Sequence, residues 1–168
     1  VQHTLRLLLA GVVVGVVLLA PMVGVAASIY ASGYVEEFSG RVSVGLLGSL
    51  LNGFLLSMTL VVLADNGFFF LILWEVMSLL SYVLVVTEHE KPGVREAGLF
   101  YLIMTHVGTA FIILTLLIFS QETGSFSFEA FRHPDQQLPE GLRSIAFFTA
   151  LIGFGAKAGI VPLHVWLP

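Results

Sequence analysis

The chain has no cysteine among its 168 residues. That absence excludes disulfides, thiolate zinc sites and any cysteine-ligated iron–sulfur or nickel–iron centre within it. If the chain serves a redox enzyme, the electrons pass through another subunit. Charge is scarce as well: Asp, Glu, Lys and Arg make up 11%, and the net charge is −4. There is no basic stretch, which argues against nucleic acid as a partner and against a polybasic lipid-binding segment. Apolar residues fill the space, at 57% of the chain with a mean hydropathy of +0.98. A soluble domain of this length could not hide that much in one core, so the implied solvent is a lipid bilayer.

A bilayer core of about 30 Å needs roughly 20 residues of helix to cross it. Five stretches meet that demand: Leu7 to Ala31, Val44 to Ala64, Phe68 to Val86, Ala97 to Phe119, and Leu142 to the end. The implied fold is an all-α, polytopic membrane helix bundle. Residues 1–43 supply the first helix and a polar connection, and residues 44–168 form the main unit. The first stretch is too long for a signal-peptide core and is followed by further spans, so it reads as a membrane helix. Without an initiator methionine, and stopping at Pro168 beside a span, the sequence reads as a piece of a longer protein.

The connections are short. Residues 32–41 are polar with interfacial aromatics, and Asp65-Asn66-Gly67 should turn a helical hairpin, since its flanks lack the alternation of strands. Glu88, His89, Glu90, Lys91 and Arg95 surround Pro92-Gly93 in a solvated turn rather than a metal site. Residues 121–143 make the one long loop, within which 127–132 reads as one turn of helix resting phenylalanines on the membrane interface. Pro139 suits the start of the last helix. Arg6, Arg132 and Arg143 fall on one side and Arg41, Lys91 and Arg95 on the other, so loop charge sets no orientation.

Function has to come from the polar residues inside the spans. Glu75 and Lys157 lie near the middle of the third and fifth, where an ionisable group costs roughly 2.5–3.5 kcal/mol on insertion scales. Opposite charges in so apolar a chain make each other the expected partner. Ser78 and Tyr82 share the helical face of Glu75, with Ser81 on its flank. Glu75 reads either as a proton carrier on that face or as a neutral acid bonded to a neighbouring helix. His106, with Thr105 and Thr109 close by, reads either as a relay that takes and gives a proton near neutral pH or as a neutral imidazole between helices. In the last span Gly153, Gly155 and Gly159 loosen the helix and Pro162 should break it. Broken helices at membrane depth line cavities and transport sites. Lys157 beside such a break, pulled one way by desolvation and the other by Glu75, is suited to exchanging protons. His164 lies beyond the break and reads as a packing or interface residue.

These residues carry a resemblance. The stretches Leu63 to Asn66, Trp74 to Tyr82 and Lys157 to Pro168 resemble the antiporter-like membrane subunits shared by complex I, Mrp cation/proton antiporters and group 4 membrane-bound hydrogenases. Met104 to Ala110 and Gly124 to Phe128 are most similar to the hydrogenase branch, in the manner of hydrogenase-4 component B or the large membrane subunit of formate hydrogenlyase. The resemblance implies a fourteen-helix fold with two inverted five-helix repeats, of which this chain holds one peripheral helix and four of the first repeat. It implies that Glu75 and Lys157 gate a half-channel in a redox-driven complex of the bacterial inner membrane. The transported ion is a proton, or sodium in the Mrp alternative, and the partners are other membrane subunits and lipid. No residue is assigned to redox catalysis, a cofactor or a metal. A membrane scaffold with a static Glu75–Lys157 pair is the remaining alternative, weakened because buried pairs seldom add stability over apolar residues.

Overall fold

A computed structural model describes residues 2–34, 43–132, 138–164 and 166. The order is α1 Gln2–Tyr34, α2 Val44–Leu63, α3 Gly67–Val85 with a 3-10 turn at Val86–Glu88, α4 Val94–Thr123, α5 Phe128–Arg132 and α6 Glu140–Ala158. No strand occurs among the described residues. Helix is what lipid demands, because it satisfies every backbone donor and acceptor within one segment. Four of the helices are long and apolar enough to cross a membrane: α1, α2, α3 with its 3-10 extension, and α4. The fifth expected span corresponds to α6, which is 19 residues long but carries Glu140, Arg143 and Lys157 and falls short of the others in hydropathy. The chain is an all-α, multi-pass membrane bundle.

Neighbouring helices pack in chain order, α1 on α2, α2 on α3, α3 on α4, and α4 on α6. Between α1 and α2, Gly24 leaves room for Leu55, whose Cδ1 would lie 2.8 Å from a Cβ added there. The α4–α6 contact is closer still. Along α4 the buried residues Tyr101, Thr105, Gly108, Ile112 and Thr115 recur at alternating steps of four and three, which keeps them on one face of the helix. Gly108 and Gly153 face one another with no side chain between, so a Cβ on Gly153 would lie 2.9 Å from the Gly108 carbonyl oxygen. Small residues at such crossings bring backbones together where no hydrophobic effect drives helices to associate. Thr115 and Thr149 seal the seam with a 2.8 Å hydroxyl contact.

Asn66 caps α3, its Oδ1 accepting from the backbone N–H groups of Phe68 (2.9 Å) and Phe69 (3.3 Å), so the expected hairpin turn is also a helix start. This turn is tied to the long loop: Gly67 N–H donates to the Phe126 carbonyl at 2.7 Å, and Phe128 N–H to that of Asp65 at 2.9 Å. The tie corrects one expectation. Phe128 and Phe131, expected only to rest on the membrane interface, are partly buried and pack on the cluster of Trp74, Met77, Ile112 and Leu116. Phe128 meets Phe70 edge-on at 6.0 Å, and Phe131 lies 5.3 Å from Phe119. Pro139 immediately precedes α6, as expected. The polar connection at 35–42, with Arg41, lies outside the described residues.

Candidate functional site

The ionisable residues inside the bundle form two clusters rather than one. In the first, Glu75 on α3 meets His106 on α4, with Oε2 3.3 Å from Nε2. The other imidazole nitrogen, Nδ1, lies 2.8 Å from the carbonyl oxygen of Leu102, one turn back on α4. A carbonyl can only accept, so Nδ1 carries a hydrogen and donates it. Oε2 and Nε2 are in ion-pair contact, charged on the histidine side only when the imidazole is protonated. Both side chains are partly open, at 31% for Glu75 and 48% for His106.

In the second cluster, Lys157 Nζ donates to Tyr101 OH at 2.9 Å and to Ser78 Oγ at 3.4 Å. The Tyr101 hydroxyl also bonds to Ser81 Oγ. Ser78 is fully buried, and Tyr101 nearly so. The wall of this cluster is aromatic: Phe154 of α6 stands edge-on to Trp74 at 5.8 Å, and the Lys157 ammonium lies 6.0 Å from the Trp74 ring centre. The backbones of α3 and α6 stay apart, and these long side chains span the gap between them.

The direct Glu75–Lys157 ion pair expected from opposite charge is therefore not formed. α4 lies beside α3 and presents His106 to the carboxylate, while Lys157 rises from the end of α6 and reaches hydroxyls first. The clusters remain adjacent, because Ser78 follows Glu75 by three residues, about 4.5 Å along the helix axis. Thr105 is buried in the seam and donates to the Leu102 carbonyl at 2.9 Å, within its own helix. Tyr82 sits apart from both clusters, lining a cleft of about 580 Å³ with Val86, His89, Arg95, Glu96 and Leu99 at the loop end of α3 and α4. Glu88 in that loop forms an ion pair with Lys91.

The helix does end just beyond Lys157, but before Pro162 is reached. α6 ends at Ala158, and Gly159 adopts the left-handed conformation (φ 72°) that closes a helix cheaply only with glycine. Ile160 N–H returns to the Gly155 carbonyl at 3.0 Å. Pro162 and His164 lie in the exposed turn that follows. Trp166 folds back from it, its indole N–H donating to the Ala156 carbonyl at 2.7 Å and its ring standing 5.3 Å from that of Tyr101. Tyr101 and Trp166 are the participants that the sequence reading passed over. The signal for Tyr101 was present, since it falls on the three-four seam of α4 that faces α6.

Residues 64–168, which include every residue of both clusters, match the family described as NADH:quinone oxidoreductase/Mrp antiporter, transmembrane. The chain belongs to this family. It is 38% identical over 152 residues to hydrogenase-4 component B of Escherichia coli K12, covering 90% of this chain and 22% of that protein. Similarity extends to NADH-quinone oxidoreductase subunit N of Deinococcus radiodurans, at 32% over 165 residues, covering 96% of this chain and 32% of that one. Subunit L of Mycobacterium tuberculosis is 30% identical over 151 residues, covering 90% and 23%. The chain thus spans between a fifth and a third of the length of these curated relatives.

Proposed function

We propose that this chain is part of a proton-translocating membrane subunit of a redox-driven complex, of the hydrogenase-4 or complex I kind, in the inner membrane of a bacterium. Glu75, His106 and Lys157 carry the proton. The observation that carries the reading is the 3.3 Å approach of Glu75 Oε2 to His106 Nε2, with Nδ1 committed to the Leu102 carbonyl. A carboxyl and an imidazole in this arrangement exchange a proton without either form of the pair bearing net charge, which keeps both forms affordable at membrane depth. Lys157 takes the next position, reached through Ser78 one turn along α3. Glu75 and Lys157 then act in succession as stations rather than as a contact pair. Electrons run in partner subunits, which suits a chain without cysteine.

The family description also names Mrp antiporters, so sodium/proton exchange is the second reading. The test common to both is Glu75→Gln in the complete protein within its assembled complex. The amide can still donate to Nε2 of His106, so assembly is retained, but it has no exchangeable carboxyl proton. Proton uptake into sealed vesicles, normalised to assembled complex, should fall roughly a hundredfold, the scale of losing one positioned proton donor. Wild-type uptake by assembled Glu75→Gln would end the assignment.

A further inference from the structure

Lys157 has two neighbours of unequal character. Ser78 is a small hydroxyl at 3.4 Å, and Tyr101 is a phenol at 2.9 Å whose ring is fixed in place. The ring is 5% exposed and lies on the α4–α6 seam. Trp166 stands against it, and Trp166 is itself held by the carbonyl of Ala156, the residue before Lys157. The turn beyond the helix break, the Lys157 backbone and the Tyr101 ring thus form one closed loop of contacts. On its far side the Tyr101 hydroxyl meets Ser81 of α3.

A hydroxyl between an ammonium and a second hydroxyl has one hydrogen to place and two directions to place it. While Lys157 is an ammonium, its N–H donates to the Tyr101 oxygen, and the Tyr101 hydrogen turns to Ser81. When Lys157 has given up a proton, its nitrogen has a lone pair. The Tyr101 hydrogen then turns to that nitrogen, and the Ser81 hydroxyl donates to the Tyr101 oxygen. No proton leaves Tyr101 in either direction; only the sense of the hydrogen bonds reverses. Both protonation states of Lys157 are therefore satisfied without moving a side chain. A phenylalanine at 101 would leave Lys157 with Ser78 alone, at 3.4 Å, in either state.

We infer that Tyr101 is a positioning residue for Lys157, whose reversible hydroxyl bridge to Ser81 serves the charged and the neutral lysine in turn. The inference rests on the reading of Lys157 as a proton carrier. The experiment compares Tyr101→Phe, Ser81→Ala and Lys157→Arg in the full-length protein within its complex, reading proton uptake into sealed vesicles against pH. Lys157→Arg keeps the charge but cannot deprotonate, so it tests the carrier reading alone. The expected result is a defective Lys157→Arg, together with a Tyr101→Phe that assembles, pumps roughly tenfold more slowly and has a displaced pH profile. A purely structural role would lower the rate or the yield without moving that profile.

If Lys157→Arg is defective while Tyr101→Phe keeps its rate within about twofold and its profile unmoved, the positioning role is overturned and the carrier reading stands. If Lys157→Arg pumps normally, the carrier reading fails and the inference falls with it. Should Tyr101→Phe fail to assemble, Ser81→Ala decides. It removes the outer end of the bridge from a helix that tolerates alanine, and an unmoved profile there also overturns the inference.

Discussion

A carboxyl and an imidazole 3.3 Å apart differ from an arginine–carboxylate bridge in what they can do. An arginine keeps its charge at membrane depth, whereas an imidazole and an acid can exchange a proton and remain neutral overall as a pair. His106 would make that exchange through Nε2, because its Nδ1 is already engaged by the Leu102 carbonyl. His106→Gln tests that role. Glutamine can still reach Glu75 with an amide, and Glu75 can stay protonated, so the bundle keeps its packing. Proton uptake in vesicles should nevertheless drop roughly a hundredfold, because an amide does not accept and release protons. Uptake within about twofold of the parent would make His106 a spacer. At this scale the sequence was half legible. Ionisable groups inside apolar runs announce themselves by their cost, which is why Glu75, His106 and Lys157 stand out. Their pairing depends on which helix lies beside which, and spacing along one chain does not contain that. Opposite charge pointed Glu75 at Lys157, but adjacency of α3 and α4 gave it His106.

Among the elements, α6 carries the most consequence per residue, since it sets where Lys157 sits and has glycine at its closest approach to α4. Gly153→Ala puts a Cβ within 3.0 Å of the Ile112 backbone nitrogen and 2.9 Å of the Gly108 oxygen, both backbone atoms that cannot swing aside. The helices must part, at a cost of about 1–3 kcal/mol, and Lys157, one turn further along, moves off Tyr101 and Ser78. Gly141→Ala is the matched control. It lies in the first turn of the same helix with open space around its Cβ, and helix propensity favours alanine there by up to about 1 kcal/mol. Melting of the purified complete protein should fall for Gly153→Ala and hold or rise for Gly141→Ala, and proton uptake should fall for the first alone. Equal melting of the two would mean that the seam is loose. The helices themselves were readable, because apolar runs near 20 residues long have few other uses. Less readable were the ends. Pro162 looked like the breaker of the last helix, yet a glycine three residues earlier had already closed it, since a left-handed residue ends a helix before a later proline can. The inward turn of Phe128 and Phe131 was hidden too, because it depends on backbone bonds from Asp65 and Gly67 to a loop some sixty residues away.

At the scale of the whole molecule, the chemistry of the two clusters bears on which ion would be carried. A metal cation crossing a membrane must exchange its hydration shell for a comparable set of oxygen ligands. Among the described residues no group of three or more His, Cys, Asp and Glu is placed to hold one. Glu75 faces an imidazole nitrogen, and the hydroxyls of Ser78, Ser81 and Tyr101 are gathered around a cation that is already there, the Lys157 ammonium. A proton needs none of that ligand set. It needs groups that accept and release it at short intervals, and these two adjacent clusters supply an acid, an imidazole and an amine. The expected outcome is that the complete protein, reconstituted with its partner subunits, takes up protons at the same rate, within about twofold, when sodium is replaced throughout by potassium or choline. An Mrp-type exchange would instead slow at least roughly tenfold without its counter-ion and recover on adding sodium back. The measurement is dye quenching in sealed vesicles at fixed ionic strength. Ionic strength must be held because the loop end of α3 and α4, with His89, Arg95 and Glu96 around its cleft, is open to screening. Sodium-dependent uptake that disappears with Glu75→Gln would assign the same carboxylate to cation exchange and displace the proton reading.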